Sequence, residues 1–466
     1  MFLPVILALI PRFLFGFLII DSIWTSKRNP NLVIKAFLAL PAGVGVSSLF
    51  SFIWIWAKFD LRLYAWTETT LIVLVTVFIA WKNRRNLRSF LQNIQVTPNR
   101  QFLIWSTLLV VSTILFVSFF WINSVKNPHG RWDAWSNWNV VTRFVYRGGE
   151  NWQSTFLRVY DHPDYPFLLA MSNATTWELL SRETTRGPII LAFFFVLSLA
   201  GLLFGLINAL SGPKQATFAA ILLMTQPIVA YHGMALYADL PEAFYFLAAA
   251  GLMPLFLSSR EKTIAIIAGL MAGLSAWTKN EGLTFIALNL IVWVGIGIFY
   301  KEKLVIKNFL LGLSLPMLVI ILFKIFLAPG NDLLAGNQGL LKQLLDTQRY
   351  VTIAEYAGRT LWDFGSQPVR IVAVLFVYTI LAGRTRNSTQ GTLPVIFVAS
   401  VQLMLYFLIF VITPHDLEWH LRTSVSRLYL HVFPLALLCF LLWVKTPDEL
   451  LVDSKPQMKN SHASNH

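Results

Sequence analysis

Charge is scarce in this sequence, cysteine almost absent, and the usual metal spacings missing. Only 13% of the 466 residues are charged, too few to cover the surface of a soluble chain of this length. The single cysteine, Cys439, excludes a disulfide framework and a multi-cysteine metal cluster. No HExxH pattern and no cysteine–histidine spacing occurs. The first apolar run, Phe2 to Ile20, lacks a basic leader and a cleavage site. It therefore reads as a retained span, although Pro11 and Arg12 interrupt its middle. Repeats of roughly 20–50 residues and inverted duplications are also missing.

What is present is apolar sequence in long runs: 56% of residues are hydrophobic, and mean hydropathy is +0.62. Such runs match a hydrocarbon layer about 30 Å thick. The fold class expected is an all-α polytopic membrane protein of about thirteen spans. They fall near 2–20, 31–57, 66–82, 102–122, 188–210, 215–231, 237–257, 264–279, 283–300, 309–328, 370–382, 393–412 and 428–445.

Net charge is +14, spread through loops rather than gathered in one basic region. That distribution argues for topology signals, membrane lipid headgroups and a phosphate-bearing substrate, and against nucleic acid. Alternate loops hold Lys27 and Arg28, Arg84, Arg85 and Arg88, Lys214, Arg260 and Lys262, Lys301 to Lys307, Arg384 and Arg386, and Lys445. Short basic loops belong on the cytoplasmic side. The opposite set contains the long segments 123–187 and 329–369, with turns near 232–237, 280 and 413–427. Within the long segments, 138–146, 167–180 and the Leu340–Leu345 region read as interfacial helices.

Every polar cluster of chemical interest falls in this second, extracytoplasmic set. In Arg131-Trp132-Asp133-Ala134-Trp135-Ser136-Asn137-Trp138-Asn139, the tryptophans suit an aromatic belt at the membrane edge. Asp133 does not, because a carboxylate placed there is expensive to desolvate. Asp161-His162-Pro163-Asp164-Tyr165-Pro166 is a stiff turn in which Asp164 reads as a cap of the following helix, and because capping needs one acid, Asp161 and His162 remain available for a metal or an acceptor hydroxyl. Tyr237-Ala238-Asp239-Leu240-Pro241-Glu242 opens a span with acids that favour the helix dipole. Trp277-Thr278-Lys279-Asn280-Glu281-Gly282 joins two spans, with Lys279 either snorkelling or contacting phosphate. The last cluster, from His415 through His420 to Arg427, carries an arginine into a span, where it needs an anionic partner.

On these residues the sequence resembles the GT-C membrane glycosyltransferases, the group of protein O-mannosyltransferases and aminoarabinose transferases. It looks most like a bacterial branch carrying D-A-W, H-P-D-Y-P, Y-A-D-L-P, W-T-K-N-E-G and D-L-E-W-H-L-x-T-S-x-x-R in order, over about residues 130–434. The resemblance implies Asp133 as the catalytic base, and Lys279 and Arg427 as donor-phosphate ligands. Substrate or acceptor contacts are then expected from Trp135, His162, Asp164, Asp239, Glu281 and His420. O-mannosyltransferases have an Asp-Glu pair where this chain has Asp133-Ala134. No cofactor follows from these residues; a divalent metal is the one candidate.

The expected organisation is a three-span extension over 1–100, a catalytic module over 101–308, and C-terminal spans over 309–466. The expected activity is inverting transfer of a sugar from a polyprenyl-phosphate donor to a lipid, glycan or protein acceptor. It would take place at the extracytoplasmic face of the plasma (inner) membrane. The rivals are a transporter or lipid flippase, and an O-antigen-type polymerase or ligase.

Overall fold

The computed structural model describes residues 2–25, 31–82, 100–157, 162–331, 339–365, 370–385 and 391–453. The first seven helices are α1 (Leu3–Ile23), α2 (Leu32–Trp56), α3 (Leu61–Lys82), α4 (Arg100–Lys126), α5 (Asn139–Gly148), α6 (Leu168–Leu180) and α7 (Arg186–Ser211). Next come α8 (Pro213–Met224), α9 (Pro227–Met234), α10 (Asp239–Ala250), α11 (Leu252–Ser259), α12 (Ile264–Thr278), α13 (Glu281–Phe299) and α14 (Lys303–Phe326). The chain ends with α15 (Leu340–Leu345), α16 (Thr347–Trp362), α17 (Ile371–Ala382), α18 (Leu393–Ile412), α19 (Leu417–Trp443) and α20 (Pro447–Asp453). Among the described residues the only β-type pairing is one bridge, Arg384 to Val444. Apolar segments must satisfy their backbone groups internally in a membrane, which favours helices throughout.

Ten helices are long and apolar enough to cross a membrane, among the described residues, rather than about thirteen. Two expected spans, α12 and α17, are apolar but short. The third, 215–231, is broken in two. Pro227 starts α9, lacks an N–H, and holds Gln226 extended at φ −76°, ψ 119°. The uncertain first span does form: α1 continues through Pro11, and Arg12 is buried. The charged loop residues Lys27, Arg28, Arg84, Arg85, Arg88 and Arg386 lie outside the described residues.

Two close helix crossings organise the bundle. A Cβ on Gly16 would lie 1.8 Å from the Ala39 carbonyl oxygen, so α1 and α2 meet backbone to backbone. Gly312 does the same for α14 against α12, at 1.9 Å from Ile266 O. Small residues permit this approach, where dispersion and packing drive association in lipid. α10, running on through Gly251 into α11, packs against α7, α12 and α19 and is almost wholly buried. The N-terminal helices belong to the same core: α2 packs on α6, α7 and α12.

One interfacial expectation needs correction. α5 has the two-sided pattern of a surface-lying helix, but α6 is buried on all sides from Leu168 to Glu178. It is enclosed because α1, α2, α3 and α5 all pack against it. Arg12 secures the packing, donating to Thr176 Oγ1 at 2.7 Å and Thr175 Oγ1 at 2.5 Å. Its other side faces Glu68 at 3.8 Å, itself held by Ser47 and Tyr64.

Candidate functional site

Six separated segments, around Asp133, Asp164, Asp239, Lys279, Lys324 and Arg427, come together in linked clusters. The segment with Asp133 is anchored first: Gly130 turns at φ +74°, and Arg131 N donates to Ala235 O at 3.0 Å. This backbone bond sets Asp133 beside the turn that leads into Asp239. Ala134–Trp138 then forms one π-helical turn, a widened geometry found mostly at functional sites. The three tryptophans consequently part. Trp132 and Trp135 are exposed and meet edge-on, as an aromatic belt would, whereas Trp138 is buried and stacks on Tyr165.

Asp239 is the centre of the convergence, with no exposed surface. Its Oδ1 accepts from Lys279 Nζ at 3.0 Å and lies 2.9 Å from His431 Nε2. Its Oδ2 accepts from Arg427 Nε at 3.1 Å and Nη2 at 3.0 Å. His232 Nδ1 stands 3.5 Å away. Arg427 also donates through Nη2 to Asp133 Oδ2, so it bridges the two acids. Tyr237 lies under its guanidinium at 4.9 Å. Lys279 is only 3% exposed and donates a second bond to Glu281 at 2.8 Å. Neither helix capping by Asp239 nor snorkelling by Lys279 describes these side chains.

A second cluster adjoins the first through the 279–281 turn. Asp164 does not cap α6, whose N-cap is Phe167 with no side-chain bond. Its Oδ2 instead accepts from Asn280 at 2.7 Å and Asn331 at 3.0 Å, with Lys324 Nζ at 3.4 Å. Lys324 donates in addition to Asp164 O and Asn280 Oδ1, each at 2.7 Å. Lys279, Asn280 and Glu281 thus link the two clusters in three consecutive residues.

Electrostatics follow from the burial. Burial works against the Lys279 ammonium, but Asp239 and then Glu281 outweigh it and hold its pKa above the ordinary lysine value. Burial pushes the Tyr237 phenol up to about 12, with Asp133 adding to the effect. Tyr165 is raised well above its usual value by burial, then by Glu281. Both tyrosines therefore remain hydroxyl donors at neutral pH.

The remaining expected residues are less central. His162 stacks on Tyr165 at 4.7 Å, bordering the site, and Asp161 lies outside the described residues. His420 bonds to Thr413 and packs on Phe410 in another part of α19, away from the Asp239 bonds described above. No group of three or more His, Cys, Asp or Glu disposed to hold a metal occurs among the described residues, so the donor set does not fit the candidate divalent ion.

Several members of the clusters were not among the expected residues. Lys324 is a lone lysine in the apolar run 309–328, and His431 lies one helical turn beyond Arg427. Those two irregularities were the available signals. Glu242 is fully buried in α10, and neither of its carboxylate oxygens has a hydrogen-bond partner among the described residues. Tyr406, whose hydroxyl lies 3.1 Å from His431 Nδ1, has no signal of its own inside the apolar α18.

An apolar groove of about 230 Å³ lies directly behind the first cluster, between α16, α18 and α19. Its walls include Ile353, Phe407, Val425, Leu428, Val432 and Tyr406. Tyr406 lines the groove while its hydroxyl reaches His431, so it belongs to both compartments.

The described chain is thus all-helical, with ten helices suited to crossing a membrane, consistent with a multi-pass membrane protein. No protein-family profile, curated protein or solved structure matches it.

Proposed function

We propose that this chain is a membrane glycosyltransferase of the GT-C type, taking a sugar from a polyprenyl-phosphate carrier where the linked clusters lie. The observation that carries the reading is the two-sidedness of α19. One side presents Arg427 and His431 to the acids, and the other lines the apolar groove. A ligand with an anionic head and a long hydrocarbon tail suits that pairing. A wholly polar ligand would leave the groove unused, and a wholly apolar one would leave the charges unused.

In this reading Asp133 takes the proton of an acceptor hydroxyl. The hydroxyl oxygen bonds to the anomeric carbon from the face opposite the phosphate, and the carbon–oxygen bond to phosphate breaks. The bonding pair leaves with the phosphate, whose charge is held by a cation of the cluster. A single displacement inverts the anomeric configuration. Arg427 orients Asp133 through its hydrogen bond, while Tyr165 and Tyr237 supply hydroxyl donors. The site faces the extracytoplasmic side of the plasma membrane, where a lipid carrier replaces a nucleotide sugar.

The test uses purified protein, a synthetic polyprenyl-phosphate sugar and cell-envelope acceptors, with mass spectrometry of the products and a nucleotide-sugar control. Transfer from the lipid donor with inversion is expected. Transfer from the nucleotide sugar alone would contradict the reading. A second reading, a transporter or flippase, is favoured by Glu242, a fully buried carboxylate within a span. Movement of intact lipid-linked sugar across proteoliposomes, without bond cleavage, would support that alternative.

A further inference from the structure

We infer that Lys324 takes the carrier phosphate, whereas Lys279 is a positioning residue for Asp239 and Glu281; this rests on the lipid-phosphate reading above. A phosphate entering the site must compete with the partners each cation already has. Lys279 is held by two carboxylates, Asp239 at 3.0 Å and Glu281 at 2.8 Å, and is 3% exposed. Turning it toward a phosphate would take from Glu281 its cation and leave Asp239 with Arg427 and His431, and a buried charge deprived of its partner is strongly destabilising. The phosphate itself would also meet those acids at close range.

Lys324 has the opposite balance. Two of its three contacts are to neutral oxygens, Asp164 O and Asn280 Oδ1. Its carboxylate contact, Asp164 Oδ2, is the longest at 3.4 Å. If Lys324 moves, Asp164 Oδ2 keeps its two amide donors, Asn280 and Asn331. The Lys324 side chain is also 25% exposed, so a ligand can reach it without opening the bundle. It stands in the last turn of α14, with Asn280 linking it directly to the turn that carries Lys279.

A second observation marks the same place as a binding position. Asp164 is 1% exposed, yet its Oδ1 has no hydrogen-bond donor among the described residues. Such an acceptor beside an available ammonium suits a ligand that carries hydroxyls as well as phosphate, which describes a sugar phosphate. Arg427 is committed to Asp133 and Asp239, but a guanidinium has five N–H donors and can keep both while adding a phosphate oxygen. Lys324 then holds the phosphate, and Lys279 holds the acids in place.

The experiment measures binding of polyprenyl phosphate and of unphosphorylated polyprenol to the full-length protein in detergent. Wild type is compared with Lys324→Gln and Lys279→Gln. Wild type should prefer the phosphate, and Lys324→Gln should weaken phosphate binding roughly ten- to a hundredfold with polyprenol binding unchanged. Lys279→Gln should lower kcat with little change in the donor KM, with kcat expressed per folded molecule as counted by the stoichiometry of polyprenyl phosphate binding, because loss of folded protein alone would also lower the apparent kcat. If wild type shows no preference, the lipid-phosphate reading itself fails. If wild type prefers phosphate and Lys324→Gln prefers it equally, only the assignment of Lys324 is overturned.

Amine acylation of the unmodified protein, followed by peptide mass spectrometry, gives an answer even where the variant does not fold. Lys324 should react, and polyprenyl phosphate but not polyprenol should protect it. An unreactive Lys324, or equal labelling with either lipid, would overturn the inference.

Discussion

This protein buries charge in several places, and two of them are built differently. Around Arg12, one guanidinium faces one carboxylate, Glu68, and hydroxyls of Ser47, Tyr64, Thr175 and Thr176 complete the network. The charges balance, and the groups join α1, α2, α3 and α6. Around Asp239, the cations Lys279 and Arg427 face three acids, Asp133, Asp239 and Glu281. Oxygens of Glu242 and Glu281 are left without hydrogen-bond partners among the described residues. A balanced network, in which Arg12 Nε faces Glu68 at 3.8 Å without a hydrogen bond, suits a joint between helices. An unbalanced one beside partly exposed cations and an apolar groove suits a place where something binds, because a buried unsatisfied group calls for an explanation.

The difference can be broken experimentally, beginning with the largest effect. Asp133→Asn keeps the shape of the side chain but cannot accept the proton. Turnover of the lipid donor should fall by about 10²–10⁴-fold, the usual scale of a lost general base, with expression unchanged. Undiminished turnover would move the base elsewhere and leave Asp133 as only a partner of Arg427.

Asp239→Ala should come next. It strips Lys279, Arg427 and His431 of a shared partner, and the thermal transition should drop by the equivalent of about 3–5 kcal/mol. Arg12→Met should cost less, about 1–3 kcal/mol, because Glu68 keeps its hydroxyl donors from Ser47 and Tyr64. It should leave donor affinity and turnover per folded molecule unchanged. A selective loss of donor affinity in Arg12→Met would erase the distinction between joint and site.

The smallest effect belongs at the surface. Glu183 pairs with Arg147 and lies near Arg143, between α6 and α7. The hydrogen bond from Arg147 lowers its pKa below the ordinary glutamate value. Its contribution is therefore complete at neutral pH and is lost as pH falls through that lowered value. Glu183→Gln should cost at most about 1 kcal/mol at pH 7 and flatten the acid limb of the melting profile. A larger cost would mean that this pair, too, is part of a buried network.

Topology offers an independent check. Single-cysteine variants near 133, 239, 279 and 420 should label from one side, and those near 85 and 385 from the other. Labelling of 133 and 279 from opposite sides would exclude a common site.

Much of the candidate site could be read from the chain before any contact was known. Asp133, Asp164, Asp239, Lys279, Glu281 and Arg427 stand out because polar residues are costly beside apolar runs and need partners. Their roles were less legible. Asp164 and Asp239 had the local pattern of helix caps, yet both turn their carboxylates to other helices. Lys324 and Tyr406 lie inside or at the end of runs that otherwise read as plain spans, and nothing in their neighbours announces a partner far away in sequence; Glu242 read only as an acid favouring the helix dipole. The enclosure of α6 was hidden for a similar reason. Its amphipathic look described one helix, whereas its burial depends on how α1, α2, α3 and α5 surround it.

Sequence by itself determined that the chain is a helical bundle of apolar spans, since hydrophobic length and backbone hydrogen bonding are properties of each segment alone. It also marked which polar residues must find a partner. Tertiary structure decided which partner each one found. Arg427 meets Asp133 across 294 positions of the chain, and Lys324 meets Asp164 across 160. Pairings of that kind depend on helix order and rotation, which are set by backbone contacts such as those at Gly16 and Gly312. No local pattern encodes them, because the energy of a buried charge is fixed by its neighbours in space.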